Sequence, residues 1–187
     1  MKRSKPIVAQ KPEKDLIVLT NDPSLTAWGY AVIHKGKIVK GGCIETEPKA
    51  KVNRIRKGDD RVRRIHELNI ELLNIIRSCN VNYIVSELPH GSQNAAAAAM
   101  VGMAADKVQT IGDCLNIPVE WYSEDDAKKH LFGKQKITKQ DMVDKIDKLY
   151  KVTWLGSKKR NSGLADAIAV YHVAKDYSQV INFYKNF

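Results

Sequence analysis

The sequence predicts an α/β domain: a mixed five-stranded sheet, an antiparallel meander extended by parallel strands, flanked by helices. Three observations lead there. Three short apolar, β-branched runs follow one another before residue 46, separated only by turn formers. From residue 59 the apolar period lengthens to three and four residues, and helical stretches then alternate with two further short runs. No repeat or Pro/Gly/Ser-rich linker breaks the 187 residues, a length suited to one domain with a substantial core.

Residues 1–15 carry Pro6, Pro12 and five lysines or arginines, and read as a basic arm ahead of the domain. Residues 16–20 form the first, buried strand, and Asn21-Asp22-Pro23-Ser24 is a turn, since Asx side chains and proline both favour one. Residues 28–34 and 37–45 are two strands joined at Lys35-Gly36. Residues 48–58 lack periodicity and read as an exposed basic loop. Val62, Ile65, Leu68, Leu72, Ile75 and Ile76 then recur at helical spacing. Residues 82–86 are a strand, 92–115 a helix with an alanine run, and 117–122 a strand that Pro118 confines to an edge or to its own start. Residues 124–131, 138–150 and 161–177 are helices. The domain is expected to span residues 16–177, with 178–187 as a tail.

Lys plus Arg is 31 against 21 Asp plus Glu, a net charge of +10. The hydrophobic fraction of 43% excludes a disordered chain. No apolar run approaches the ~18 residues of a membrane helix, and the basic start has no apolar core, so a cytoplasmic protein with no membrane partner is expected. Cys43, Cys79 and Cys114 form no CxxC pair, and read as buried, reduced thiols. The basic residues cluster: eight lie between Lys49 and Arg64, including Arg54, Arg56, Lys57, Arg61 and Arg64. Others lie at Lys128, Lys129, Lys134, Lys136 and Lys139, and at Lys158, Lys159 and Arg160. Such clusters suit a polyanion, because each phosphate neutralised releases counterions; a merely soluble basic surface is the other reading.

Three acids need explaining. Asp22 ends the first strand, Glu87 ends the fourth, and Asp166 sits in the apolar run Leu164-Ala-Asp-Ala-Ile-Ala-Val170. Taken singly, Asp22 is a turn former, Glu87 a loop charge and Asp166 an acid near a helix start. Taken together, they gather where ligands bind in open α/β sheets, at the carboxyl ends of strands. Three converging carboxylates make an all-oxygen site for Mg²⁺ or Mn²⁺. Beside a basic surface, that suits metal-assisted phosphodiester hydrolysis.

Residues 20–33, Thr-Asn-Asp-Pro-Ser-Leu-Thr-Ala-Trp-Gly-Tyr-Ala-Val-Ile, resemble the opening motif of RuvC-type Holliday junction resolvases, whose fold is RNase H-like. There an aspartate before proline is followed seven residues on by glycine, here Asp22 and Gly29. Asn82-Tyr-Ile-Val-Ser-Glu87 resembles the family's second acidic strand and Leu164–His172 its closing helix. The likeness spans residues 16–175, and the Asn-Asp-Pro-Ser form looks more like phage or mobile-element members. It implies a homodimer acting on branched DNA, with one or two ions held by Asp22, Glu87 and Asp166. Lys128 and Lys139 match two lysines that the family places beside the scissile phosphate. His90 stands where the family has an aromatic wedge, and Ser92 and Gln93 are phosphate contacts or helix caps. The basic loop around Arg54, Arg56 and Lys57 is expected on the DNA backbone, with Arg61, Arg64, Lys134 and Lys136. The family's fourth metal-site residue, Asp or His one turn before the last aspartate, falls on Gly163, leaving only Asn161 and Ser162 as neutral donors nearby.

Two alternatives share this site: a broader branched-DNA debranching nuclease acting on forks and flaps, and a junction-binding protein with weakened catalysis. An RNase H-type enzyme on RNA–DNA hybrids is more distant. No G-x-S-x-G elbow and no P-loop occurs, so neither a serine hydrolase nor a nucleotide cofactor is expected.

Overall fold

The computed structural model describes residues 15–89, 94–134 and 136–185. Strands β1 (Ile17–Asp22), β2 (Ala27–His34) and β3 (Lys37–Glu45) form the expected meander. Lys35 and Gly36 turn between β2 and β3 with φ of 50° and 73°, the paired positive values that a tight hairpin demands. Then come α1 (Lys57–Ser78), β4 (Tyr83–Leu88), α2 (Ala95–Leu115), β5 (Val119–Ser123), α3 (Glu124–Phe132), α4 (Lys139–Leu149), α5 (Lys158–Tyr177) and α6 (Gln179–Lys185). The sheet order is β3-β2-β1-β4-β5. β1 is antiparallel to β2 and parallel to β4, and β4 is parallel to β5. β5 starts one residue after Pro118 and lies at the edge, as its proline requires.

Alternation along the central strands sorts side chains to two faces. Leu19 and Ile84, with Trp28 and Val32, pack against Leu68, Leu72 and Ile75 of α1 and Val108 and Ile111 of α2. Val18, Ile33 and Val85 face the other way, onto Val170 and Ala174 of α5. Helices α3 and α4 pack on α5 through Ala127, Leu131, Met142 and Ile146. α5 is buried from Gly163 to Tyr171 without a break, which is why its pattern is apolar all round rather than amphipathic.

The seat of α5 is set by glycine. A Cβ on Gly29 of β2 would lie 2.0 Å from the Gly163 carbonyl oxygen, so helix backbone rests on strand backbone. Gly29 is the cross-strand partner of Asp22. The same contact orients residue 163: a Cβ there would face Gly29 N at 3.3 Å and Ala27 O at 3.6 Å.

Several boundaries differ from expectation. α2 is capped by Asn94, whose side chain accepts from Ala96 N at 2.9 Å and Ala97 N at 3.2 Å, so the cap is not Ser92. Residues 178–187 are not simply a tail. Ser178 and Ile181 are buried and α6 packs beneath Tyr83 and Tyr171, so the folded unit runs through residue 185. Seven helical residues are too few for periodicity to announce. Cys114 is exposed and Cys43 and Cys79 are half-buried, against the expectation of buried thiols.

The basic segment after β3 is anchored from below. Asp60, 3% exposed, accepts from Lys49 N through both oxygens and from Arg63. Arg64, 7% exposed, donates to Thr46 Oγ1 at 2.8 Å, Thr26 Oγ1 at 2.9 Å and the Leu25 carbonyl at 3.2 Å. These bonds tie α1 to the turn that follows Asp22 and satisfy carbonyls that would otherwise be costly to bury.

Gly29→Ala should therefore lift α5 from the sheet. Overpacking of this kind costs typically 1–3 kcal/mol, and a backbone-to-backbone clash belongs at or above the upper end. Thermal melts should show the loss, together with loss of activity; a variant with unchanged melting temperature would contradict the contact.

Candidate active site

The site can be built from the alternation. Thr20 donates its hydroxyl to the Ala167 carbonyl of α5, so Asp22, two residues on, points to the same face. Val85 packs on α5, so Glu87 shares that face. Asn21 pairs with Ser86 across parallel β1 and β4, which places Asp22 and Glu87 level at adjacent carboxyl ends. On the opposite face Ser86 Oγ donates to Asn21 Oδ1 at 3.0 Å, locking the two strand ends together. Asp166, only 4% exposed, comes from α5 above.

The three carboxyls feel one another's charge. Burial, then the charge of Asp166, raises Asp22 to about 7. Burial, then Asp22 and Asp166, raises Glu87 to about 9. Burial raises Asp166 as well, although Lys139 opposes it. Lys139, the first residue of α4, sets Nζ 2.6 Å from Asp166 Oδ2 while its side chain stays 66% exposed. Burial pulls its pKa down, but Asp166, Asp22 and Glu124 outweigh that and hold it charged.

Glu124 is the residue that sequence reasoning missed. It opens α3 directly after β5, and its charge helps raise Asp22, Glu87 and Asp166. The signal was present, since β5 is a third parallel strand whose carboxyl end lies beside that of β4. Its position in a run of three acids made it look like an ordinary helix start. Lys128, one turn further, pairs with Glu124 at 2.7 Å, so each expected lysine sits on an acid of this cluster.

One turn before Asp166 the neutral donors divide. Ser162 Oγ lies 3.3 Å from Asp166 Oδ2 and faces the cluster. Asn161 accepts from Leu155 N at 2.8 Å and serves its own turn. Gly163 is a packing position, filled by the contact with Gly29.

The expected DNA contacts separate likewise. Arg54, Lys57, Lys134 and Lys136 are exposed, Arg61 is half-buried, and Arg56 is exposed but paired with Asp59 at 2.8 Å. Arg64 does not belong with them: its guanidinium is buried under the Leu25–Thr46 contacts and is not open to a phosphate. His90, Ser92 and Gln93 lie outside the described residues.

Residues 18–173 match the family model described as crossover junction endodeoxyribonuclease RuvC. The chain belongs to the RuvC family. A curated relative, the crossover junction endodeoxyribonuclease RuvC of Ehrlichia canis, is 28% identical over 156 residues, 82% of this chain and 92% of that protein. Thermus thermophilus RuvC, solved in complex with a Holliday junction substrate, has a TM-score of 0.69 at 20% identity, covering 88% of this chain and 96% of its own. The yeast mitochondrial Holliday junction resolvase has a TM-score of 0.56 at 16% identity, covering 95% and 85%. The RuvC likeness extends over the whole mixed sheet with its flanking helices, as expected. The family is one of nucleases, and no helix among the described residues is long and apolar enough to cross a membrane.

Raised carboxyl pKa values carry a stability signature. The folded chain holds protons on Glu87 and Asp22 that the unfolded chain has released, so stability falls as pH rises. The window opens near the ordinary values of 3.8 and 4.5; Asp22 drops out at about 7 and Glu87 at about 9. In a chelator the melting temperature should decline across that range, and Mg²⁺ should flatten the decline. Asp22→Asn with Glu87→Gln should reduce the slope, leaving the share of Asp166; a slope unchanged in the double variant would assign it elsewhere.

Proposed function

We propose that this RuvC-family chain is a structure-specific endonuclease that resolves four-way DNA junctions by Mg²⁺-dependent phosphodiester hydrolysis, cutting as a homodimer in the cytoplasm of a bacterium or an infected host. The observation that carries the reading is the convergence of Asp22, Glu87 and Asp166 at the strand ends, within the segment that matches the family.

The donor set fits a hard divalent cation. Three carboxyls with a fourth close by offer only oxygens, and the burial and neighbouring negative charge that raise all three would be offset by a bound cation. Asp22, Glu87 and Asp166 would hold Mg²⁺, with Mn²⁺ the alternative, and Glu124 supplies the fourth acid that Gly163 does not. A metal here supplies an activated water and charge stabilisation at the phosphate. Burial of Asp166 excludes bulk water from one side, and the strand ends fix Asp22 and Glu87 level with each other. Lys139, mostly exposed, can turn from Asp166 to the scissile phosphate once that carboxylate is otherwise neutralised, adding charge where the transition state builds it. Lys128 stays tied to Glu124 and orients it. Arg54, Lys57, Arg61, Lys134 and Lys136 would position the DNA backbone, which carries no sequence information, while Arg56 is committed to Asp59.

Supporting a homodimer, the first turns of α2 expose Ala95, Ala96, Ala97 and Ala99, while Ala104, Val108 and Ile111 bury the far end on the sheet. Nothing lies within 4 Å of a Cβ on Gly102. Gly102→Arg should leave the protomer folded and shift mass measurements toward monomer; a variant that stays dimeric would move the interface off this face.

The function test is cleavage of a labelled mobile four-way junction with Mg²⁺, beside linear duplex, a fork and an RNA–DNA hybrid. Paired symmetric nicks confined to the junction are expected. Asp22→Asn should abolish them, and Lys139→Ala should slow cutting by roughly 10²–10³-fold, as for loss of one preorganised charge. Equal cutting of forks would indicate a debranching nuclease. Tight junction binding without cutting would indicate the second reading, a junction-binding protein, which Gly163 motivates.

A further inference from the structure

We propose that His130, His172 and Asp176 form a second cation site, selective for a zinc-class divalent metal, that ties α3 to α5. One ligand-capable atom from each residue lies within 4.8 Å of the other two. No residue of the acidic cluster takes part.

The arrangement is that of a helix-borne chelate. His172 and Asp176 are four residues apart on α5 and so share a face, and His130 reaches across from α3. His130 Nε2 and Asp176 Oδ2 stand 3.0 Å apart, and the two imidazole rings are 5.5 Å apart and tilted. Tyr150, the residue that follows α4, places its hydroxyl 2.9 Å from His172 Nδ1. A hydroxyl accepting that N–H leaves Nε2 with the lone pair that a metal takes, the outer contact usual for ligating histidines.

The chemistry differs from that of the carboxylate cluster. Two imidazole nitrogens and one carboxylate suit zinc-class ions, whereas an all-oxygen set suits Mg²⁺. The site borders a cleft of about 620 Å³ lined by Tyr122, Asp126, Lys129, His130, Val173 and Tyr177, with room for a water as fourth ligand. Lys129, Lys145 and Lys175 lie close enough to oppose a cation, and the Asp176 carboxylate is the group that offsets them. His130 is six residues beyond Glu124, and His172 six beyond Asp166, a rise of about 9 Å along each helix. A metal joining the histidines would therefore fix the register of the helices that carry Glu124, Lys128 and Asp166.

The test uses the full chain, stripped with chelator and held in excess Mg²⁺ so that the carboxylate cluster is occupied. Zn²⁺ titrated calorimetrically should bind once per chain, and Co²⁺ in its place should give the intense visible absorption of four-coordinate nitrogen–oxygen ligation. Both signals should vanish in His130→Gln and in Asp176→Asn, the latter a change at an exposed carboxylate that leaves the fold intact. Tyr150→Phe should weaken Zn²⁺ binding about 10–100-fold, and Asp22→Asn should leave it unchanged. The proposal is overturned by an absence of Zn²⁺ uptake, or by uptake that survives both ligand substitutions, as binding at exposed Cys114 would.

Discussion

Everything at the strand ends depends on how closely α5 can lie on the sheet. Gly29 and Gly163 meet backbone to backbone, and the strand residue paired with Gly29 is Asp22. That contact lowers α5 until the Asp166 carboxyl, three residues further along, comes within reach of the charges of the carboxyls on β1 and β4. In this chain residue 163 is glycine and lies against Gly29, and the further acid whose charge reaches the three carboxyls is Glu124, at the start of α3.

The same closeness creates the electrostatic tension of the site. Carboxyls that burial and mutual repulsion push toward neutrality sit beside two lysines, each committed to one acid. The acids are thus balanced by protons and by the two ammonium groups of Lys128 and Lys139. The fold holds the acids together against their repulsion because Asn21 and Ser86 lock the two strands from the opposite face, while Thr20 ties β1 to α5 on the acids' own face.

Much of this was legible in the sequence because it rests on short-range pattern. The meander, the edge strand after Pro118 and the helices from residue 59 onward follow from alternation, apolar period and turn chemistry, although α1 begins two residues earlier, at Lys57. Asp22, Glu87 and Asp166 stood out because an acid at the end of a buried strand, or in an apolar helix, is costly without a reason. What escaped was set by tertiary contact. Arg64 looks like one more cation in a basic run, and only folding shows that Thr46 and Leu25 surround it. Glu124 looks like a helix-opening acid until β5 is placed beside β4. α6 is too short to carry a period, and Asn94 displaced Ser92 as cap because the chain enters α2 two residues later than the polar run suggests.

The buried underside of the basic segment changes what its charge is worth in solution. Of the eight cations from Lys49 to Arg64, Arg63 is held by Asp60 and Glu67, Arg64 is buried, and Arg56 leans on Asp59. That leaves Lys49, Lys51, Arg54, Lys57 and Arg61 to displace condensed counterions from a nucleic acid, at about 0.9 ion per phosphate engaged on duplex DNA. The segment's grip on DNA should thus vary with salt as that of a five-charge contact. Its shape, held from below by the buried bonds of Asp60 and Arg64, should be far less sensitive to ionic strength.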